Sequence, residues 1–152
     1  RHGITGLAAF SREAFKHQLA VPRAVLMRAT DSGGDTVAML LWYVRDDRAW
    51  YHLGATDERG YHDGGAANAL MWEAFAHFRR QGMKRLNLGG AAGIAPRLDD
   101  GLARFKAGWS NARAAAWFCG RILDRDAYEI LTARAEALGS RYFPAYRTGE
   151  FL

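Results

Sequence analysis

Hydrophobic residues between positions 24 and 55 lie in apolar runs of strand length that are bounded by polar turns. Three apolar runs are separated by short polar turns, one of which contains the paired glycines of Asp31–Asp35. Consecutive strands joined by short turns form an antiparallel meander. The pattern therefore predicts three such strands, at Ala24–Ala29, Thr36–Arg45 and Arg48–Ala55.

Apolar residues spaced three and four positions apart predict helices on either side of this meander. The first helix covers Ser11–Ala20, with Ser11 as its N-cap. The second is the central helix, which follows the Gly-rich segment Asp57–Gly65 and ends at Gly82. Its apolar face consists of Ala67, Leu70, Met71, Ala74, Phe75 and Phe78.

The rest of the chain continues to alternate between strand and helix. We predict a strand at Lys84–Leu88, a helix at Leu98–Trp109, a strand at Ala112–Ile122, a helix with Asp126 and Glu129 at capping-box spacing that stops at Gly139, and a strand or extended segment at Tyr142–Tyr146. This order predicts a mixed α/β (α+β) fold, with a largely antiparallel sheet flanked by helices. A length of 152 residues with 49% hydrophobic residues predicts one globular domain over residues 1–152.

The amino-acid composition excludes few classes of function. The formal net charge of +5, from 21 basic and 16 acidic residues, suits an anionic ligand, RNA or an anionic membrane surface without selecting among them. The lone cysteine, Cys119, lies in an apolar run and is predicted to be a buried structural thiol in a reducing compartment. The sequence contains no HExxH, paired CxxC or carboxylate cluster, so we expect no metal site.

The segment after the fourth predicted strand carries the main candidates for binding and catalysis. Gly89 and Gly90 directly follow that strand, and glycine amides can approach a ligand closely because they lack a Cβ. The basic segment that follows contains Arg104, Phe105 and Lys106. Lys106 can stabilise the oxyanion formed in aminolysis of an ester or thioester, Arg104 can contact phosphate, and Phe105 is expected in the core. The alternatives are solvated surface cations and a plain turn at the glycines.

Tyr51 and His52 are candidates for proton transfer on the third strand. As neighbours on a strand they point to opposite faces of the sheet, so only one of them can face a given cleft. A structural role is the favoured alternative for each.

Several stretches of the sequence resemble one superfamily. The meander, a helix entered through a glycine-rich turn, and then a strand and another helix resemble the outline of the GCN5-related N-acyltransferases (GNAT). LNLGG at Leu86–Gly90 and above all GLARFKAGWS at Gly101–Ser110 resemble one group of that superfamily, the FemABX peptidyltransferases. Within that superfamily the chain is similar to the second, C-terminal GNAT-like domain of the FemABX peptidyltransferases. The resemblance covers about Val25–Tyr146, and YHLGAT at Tyr51–Thr56 matches the third meander strand of the family.

The resemblance implies an acyltransferase that forms an amide from an activated acyl or aminoacyl donor and an amine acceptor. In Fem proteins the donor is aminoacyl-tRNA, the acceptor is a peptidoglycan precursor, and the reaction takes place in the cytoplasm beside the inner membrane face. A second GNAT-like domain would then supply much of the acceptor cleft. By the same resemblance Lys106 would reach the reacting ester.

Two other functions stay open. GNAT enzymes that use acyl-CoA typically carry Arg or Gln, two residues, Gly, one residue, and Gly or Ala before the central helix, where backbone amides bind the pyrophosphate. The nearest match here is Tyr61, Gly64, Gly65 and Ala66, with tyrosine in the first position. One alternative is therefore an acetyl-CoA-dependent N-acetyltransferase. The other is a non-catalytic half of a two-domain transferase that only binds the acceptor.

Overall fold

The computed structural model describes residues 9–62, 65–90, 101–117 and 119–149. The helices and strands of these ranges are, in chain order, α1 (Arg12–Leu19), β1 (Ala24–Thr30), β2 (Thr36–Arg45), β3 (Arg48–Thr56), α2 (Glu58–His62), α3 (Ala66–Arg80), β4 (Arg85–Asn87), α4 (Gly101–Gly108), α5 (Arg125–Arg134) and a 3₁₀ helix (Ala145–Arg147). The meander, the first helix and the central helix are confirmed, with bounds within one or two residues of the predicted ones.

The four strands form one sheet in the order β1-β2-β3-β4. β1 pairs antiparallel with β2, and β2 pairs antiparallel with β3. β4 instead lies parallel to β3, a return that needs a crossover connection, which α2 and α3 supply. The sheet is therefore mixed and mostly antiparallel with helices around it, which confirms the predicted fold class.

A β-bulge interrupts the pairing of β2 with β3. The register shifts between Leu41 and Trp42, so that His52 is an extra residue on β3. The parallel pairing of β3 with β4 runs only as far as Trp50. β4 ends at Asn87, the partner of Trp50, so the parallel pairing stops two residues before the bulge residue. Beyond this point β3 continues to Thr56 without β4 beside it.

Helix α3 covers one face of this sheet and contacts β1, β2 and β3. Trp42 of β2 is fully buried on that face, with its ring centroid 5.1 Å from that of Phe78. The helix ends before Gly82, whose φ of +73° favours glycine. The buried residues of the helix are Leu70, Met71, Ala74 and Phe78.

Helix α1 lies against the opposite face. Tyr43 follows Trp42 along β2, and neighbouring residues of a strand point to opposite faces. The Tyr43 hydroxyl donates a hydrogen bond to the backbone carbonyl of Gln18, at 3.1 Å. Ser11 caps the helix as predicted, since its hydroxyl accepts the N–H of Ala14 at 3.1 Å.

The chain divides into two compact units. Phe10–Gly90 holds the sheet with α1, α2 and α3. The other unit includes α4, α5 and the 3₁₀ helix, and there the Tyr128 hydroxyl of α5 accepts the N–H of Ala145 at 2.8 Å. That residues 1–152 form a single domain stays a prediction.

The predicted strand at Ala112–Ile122 is wrong. The described residues of this segment have no regular secondary structure, and Trp117 is 86% exposed. The segment is rich in alanine and arginine and contains no β-branched residue before Ile122, so little favours a strand there. Cys119 is exposed for the same reason, which corrects the expectation of a buried thiol.

Other element boundaries also differ from the prediction. The last helix begins after Asp124, whose carboxylate accepts the N–H of Ala127 at 2.9 Å, and it ends at Arg134 rather than at Gly139. The described part of the segment Leu98–Trp109 is helical at Gly101–Gly108, and residues 98–100 lie outside the described ranges. A 3₁₀ helix replaces the strand expected at the terminal aromatic segment. The short helix α2 was not predicted.

Candidate active site

Tyr51 lies on the face of β3 that α3 covers. Its ring centroid is 5.3 Å from that of Trp42, and the residue is half-buried. Its hydroxyl lies over the backbone of Gly54, where an added Cβ would come within 2.0 Å of the oxygen. Burial raises the pKa of the Tyr51 hydroxyl above its ordinary value, so the group stays protonated at neutral pH and can donate a proton.

His52 faces the opposite side, toward α1. Its ring centroid lies 4.7 Å from that of Tyr43, and its Nε2 lies 2.8 Å from the side-chain oxygen of Gln18. The residue is exposed. Tyr51 and His52 thus face opposite sides of the sheet, as the strand alternation predicts. Both lie just beyond Trp50, the last residue of β3 that pairs with β4.

A turn built on glycine ends β4. The side-chain oxygen of Asn87 accepts the N–H of Gly89 at 2.8 Å. Gly89 has a φ of +70°, a left-handed conformation that glycine adopts without steric cost. Leu88 is buried, whereas Gly89 and Gly90 are exposed. The paired glycines therefore lie at the surface, directly after the point where the parallel pairing stops.

The junction between α2 and α3 is closely packed. An added Cβ on Gly60 would lie 2.6 Å from the backbone oxygen of Val37 and 3.1 Å from the Cβ of Ala66, the first residue of α3. Gly65 is the N-cap residue of α3 and makes no side-chain cap hydrogen bond, and the first turn contains no acidic residue. Such a helix N-terminus attracts an anion through its amides and its dipole.

The remaining residues of the predicted donor loop are only partly described. Tyr61 lies near the end of α2 and is 59% exposed, with its ring edge-on to His62. Gly64 lies outside the described residues. The loop is thus fixed at both ends, by α2 and by the start of α3.

Arg59 of α2 links this helix to the turn between β1 and β2. Its Nη1 lies 2.9 Å from the carboxylate of Asp31 and 3.1 Å from that of Asp35. The Nε of this residue, Arg59, donates to Asp57 at 3.1 Å, and Asp57 also accepts the N–H of Gly60 at 2.8 Å. The Gly60 N–H first, and then Arg59, hold the pKa of Asp57 below its ordinary value. The cluster fixes the helix that leads into α3.

Helix α4 belongs to the other unit. Arg104 is exposed, while Phe105 and Lys106 are half-buried. Phe105 was expected in the core, and its partial exposure corrects that expectation: the described residues of α4 include no buried one. An approach of Lys106 to Gly89 and Gly90 concerns residues of different units and stays a prediction.

Two cavities among the described residues lie away from Tyr51 and His52. One of 170 Å³ is lined by Val25, Val44, Phe78 and neighbours, and one of 310 Å³ lies beside α5. Neither is lined by Tyr51 or His52. Across the described ranges no three His, Cys, Asp or Glu side chains are placed to hold a metal ion, and no helix has the length and hydrophobicity to cross a membrane. We take the edge of β3 beyond Trp50, where its pairing with β4 ends, as the candidate site.

The structure adds three residues that the sequence analysis missed. Gln18 and Tyr43 contact His52, and Gly54 lies under Tyr51. Gln18 is 34 residues from His52, and no local pattern connects the end of a helix with so distant a strand. Gly54 did carry a signal, because a glycine inside a strand often marks a bulge or a close approach.

Comparison with known proteins places this geometry in a family. A family model described as an acetyltransferase (GNAT) domain matches residues 5–107. The comparison with curated proteins found no match. Among solved structures, the ribosomal-protein-alanine N-acetyltransferase from Brucella melitensis biovar Abortus 2308 superposes with a TM-score of 0.55 at 16% identity, over 74% of this chain and 82% of that one. An aminoglycoside acetyltransferase from an uncultured soil metagenomic sample gives 0.53 at 14% identity, over 82% and 80%.

At these identities the solved structures support the fold alone, a mostly antiparallel sheet flanked by helices. The family match is more extensive, because it covers well over half of the chain. It includes the whole sheet, the glycine-capped α3 and nearly all of α4. The chain therefore belongs to the GNAT acetyltransferase domain family and is an acyltransferase.

Proposed function

We propose that the chain is an acetyl-CoA-dependent N-acyltransferase, which forms an amide from an acyl thioester and an amine. GNAT acetyltransferases use acyl-CoA donors and amine acceptors. The observation that carries the proposal is the edge of β3 beyond its pairing with β4, followed along the chain by α2 and a glycine-capped α3 without an acidic first turn. An extended donor would lie along this edge, with its pyrophosphate at the α3 amides.

The residues at this edge can supply the proton transfers that amide formation needs. The amine nitrogen attacks the thioester carbonyl carbon, the C–S bond breaks, and the thiolate leaves. Because Tyr51 and His52 face opposite sides of the sheet, we place the reacting carbon at the edge of β3 itself rather than in a cleft on either face. There we assign the proton lost by the amine to His52 and the proton gained by the thiolate to the Tyr51 hydroxyl. The developing oxyanion also needs a donor; the Gly89 N–H is already donated to Asn87, and Lys106 stays the candidate that the sequence resemblance implies.

The N-terminus of α3 offers a direct test of donor binding. Gly65→Asp introduces a capping side chain, which favours the helix, but its negative charge opposes a pyrophosphate. We expect the affinity for acetyl-CoA to fall at least about tenfold in isothermal titration, which corresponds to roughly 1.4 kcal/mol. The melting temperature should stay the same or rise, because the cap is improved.

Gly65→Asn is the matched control. It places a similar but uncharged side chain at the same position, so it should cap the helix and keep the affinity within about threefold. Equal affinities of the two variants would contradict pyrophosphate binding at α3. No binding of acetyl-CoA by the unsubstituted protein would contradict the proposal as a whole.

Two features favour a second function. The exposed Tyr61 stands where acyl-CoA-using GNAT enzymes typically carry Arg or Gln, and α4 carries the Fem-like sequence Arg104, Phe105 and Lys106. The second function is Fem-like transfer of an amino acid from aminoacyl-tRNA to a peptidoglycan precursor, in the cytoplasm at the inner membrane face, together with a second GNAT-like domain. Titrations with charged tRNA and with acetyl-CoA separate the two donors, since the true donor should bind more tightly.

Substitution of Lys106 separates a catalytic role from a third function, the acceptor-binding half without chemistry. If the ammonium stabilises the oxyanion, Lys106→Ala should lower turnover by about 10²–10³-fold. Lys84→Ala, which removes an exposed lysine paired with Asp47, is the control and should leave turnover unchanged. Undiminished turnover in Lys106→Ala would favour the non-catalytic half.

A further inference from the structure

The end of α1 makes two contacts at the β-bulge. The side-chain oxygen of Gln18 lies 2.8 Å from Nε2 of His52, and the backbone carbonyl of Gln18 accepts the Tyr43 hydroxyl at 3.1 Å. Tyr43 also packs its ring on His52, with centroids 4.7 Å apart and planes inclined by 37°. His52 is therefore held both along one ring edge and across one ring face.

The contact with Gln18 determines which ring nitrogen of His52 carries the proton. An amide oxygen can only accept a hydrogen bond, so Nε2 must be the N–H donor. In a neutral imidazole the other nitrogen, Nδ1, then has the free lone pair. The contact thus leaves His52 with a basic nitrogen that is not engaged by the amide.

We propose that Gln18 is a positioning residue that keeps His52 in the Nε2–H tautomer, so that Nδ1 accepts the proton of the acceptor amine. This inference rests on the proposed function. As the amine nitrogen attacks the thioester carbonyl carbon, its N–H bond breaks, the electron pair stays on nitrogen, and the proton moves to Nδ1. The C–S bond breaks, and the departing thiolate takes its proton from Tyr51.

The two faces of β3 then have different tasks. Tyr51 lies on the α3 face, where the helix N-terminus is assigned to the donor. His52 lies on the α1 face and is exposed. The acceptor amine should therefore approach from the α1 side, and α1 becomes part of the acceptor site. A positioning amide on α1 couples that helix to the proton transfer.

Nitrogen NMR tests the tautomer without any substrate. In the ¹⁵N-histidine-labelled protein at about pH 8.5, where histidine rings are ordinarily neutral, His52 should show a protonated Nε2 and an unprotonated Nδ1. His52→Gln identifies its signals. Gln18→Leu, similar in size but without an acceptor, should give a mixture of both tautomers, whereas Gln18→Glu should keep the Nε2–H form.

Two NMR results would overturn the inference. One is a protonated Nδ1 in the unsubstituted protein, which would mean that the Gln18 amide donates instead of accepting. The other is a pure Nε2–H form in Gln18→Leu, which would mean that the tautomer does not depend on Gln18. A purely structural role for Gln18 would change the melting temperature but not the tautomer.

Turnover of acetyl-CoA with poly-L-lysine as the amine probe tests the chemical consequence. Gln18→Leu should lower kcat by about 10–100-fold, and His52→Ala by about 10²–10⁴-fold, with the KM for acetyl-CoA within about threefold. Gln18→Glu should recover most of the lost kcat, and imidazole in solution should partly rescue His52→Ala. Gln81→Leu, which makes the same change as Gln18→Leu at the exposed glutamine that ends α3, is the control and should behave as the unsubstituted protein.

The failures of the two proposals are distinguishable. An unsubstituted protein that neither binds nor turns over acetyl-CoA counts against the proposed function. A protein that turns over acetyl-CoA, but whose kcat is the same in Gln18→Leu, counts against the positioning role of Gln18. A raised KM for acetyl-CoA with unchanged kcat would also overturn that role, because it would place the effect in donor binding.

Discussion

The contact between Tyr51 and Gly54 predicts that one added methyl group will act differently in two backgrounds. In Gly54→Ala the new Cβ lies 2.0 Å from the Tyr51 hydroxyl oxygen. An ordinary separation is about 3.5 Å, so the hydroxyl must move by about 1.5 Å. Forcing a half-buried ring off its packing against Trp42 costs about 1–3 kcal/mol, while loss of a strand glycine gains about 0.5–1 kcal/mol. The net loss of stability should be about 0.5–2 kcal/mol.

Removal of the hydroxyl reverses this expectation. In Tyr51→Phe the atoms nearest to the new Cβ are the ring Cζ and the Cδ2 of Leu40, both at 3.1 Å, which a small shift relieves. Gly54→Ala should then be neutral or stabilising by up to about 0.5 kcal/mol. The two substitutions should therefore couple by about 1–2 kcal/mol. Urea denaturation of the four proteins measures this coupling, with Gly108→Ala as a control, because its added Cβ meets nothing within 4 Å.

The same four proteins report on the chemistry. Gly54→Ala displaces the hydroxyl that we assign to the leaving thiolate, so its kcat should fall by about 10–100-fold. Tyr51→Phe should lose a similar amount, and the double variant should be no worse than either. Additive unfolding free energies, within about 0.3 kcal/mol, would refute the placement of Tyr51 over Gly54. Losses of kcat that multiply would refute the assignment of the proton donor.

Three further substitutions test the core, a helix end and a carboxylate. Phe78→Ala removes a ring that is 1% exposed and packs on Trp42, so it should lose about 3–5 kcal/mol and lower the melting temperature by about 10 °C; an unchanged melting temperature would contradict this packing. Gly82→Ala puts a Cβ at a φ of +73° and should lower the free energy of unfolding in urea by about 1 kcal/mol. No loss would contradict the left-handed conformation at this helix end. Asp57→Asn removes a carboxylate whose pKa the Gly60 N–H lowers. The stability that this carboxylate adds is present above its unfolded-state pKa and is lost as pH falls through its lower folded-state pKa. The difference in melting temperature between the unsubstituted protein and the variant should therefore close below about pH 4. A difference that does not depend on pH would show that the charge of Asp57 does not contribute.

The meander and α3 were predictable because their signals are local. Each strand of the meander is bounded by polar turns, and the apolar stripe of α3 repeats over four turns before Gly82. The parallel pairing of β4 with β3 has no local signal, since it depends on the crossover that precedes it. Fold class therefore followed from the sequence more readily than strand order.

The elements that were predicted wrongly or missed are those whose secondary structure depends on residues far away in the sequence. The segment from Ala112 looked like a strand from its apolar content, yet a strand needs a neighbour to satisfy its backbone groups. The helix α2 was missed because its N-cap, Asp57, is followed by glycine at position 60, a residue that disfavours helices in isolation. Here the close approach to the backbone of Val37 requires that glycine.

The candidate site, too, was only partly predictable from the sequence. Tyr51 and His52 stood out by residue type and position, and their opposite orientations follow from the pleat of the strand. The contacts that give each residue its chemistry could not be inferred, because Gln18 reaches His52 from a helix far earlier in the chain. The bulge at His52 had only an indirect signal in the sequence, the strand glycine at position 54.

The extra residue at position 52 reverses the side-chain alternation of β3. Before it, odd-numbered side chains such as Tyr51 share a face with Trp42; after it, even positions do, because Gly54 pairs with Leu40 on that same face. Deletion of His52 would restore regular alternation without shifting the later pairs, because Leu53 would still pair with Leu41 and Gly54 with Leu40, beneath the tyrosine hydroxyl. Loss of residue 52 should therefore leave the pairing of β3 with β2 intact and remove only the imidazole from the α1 face.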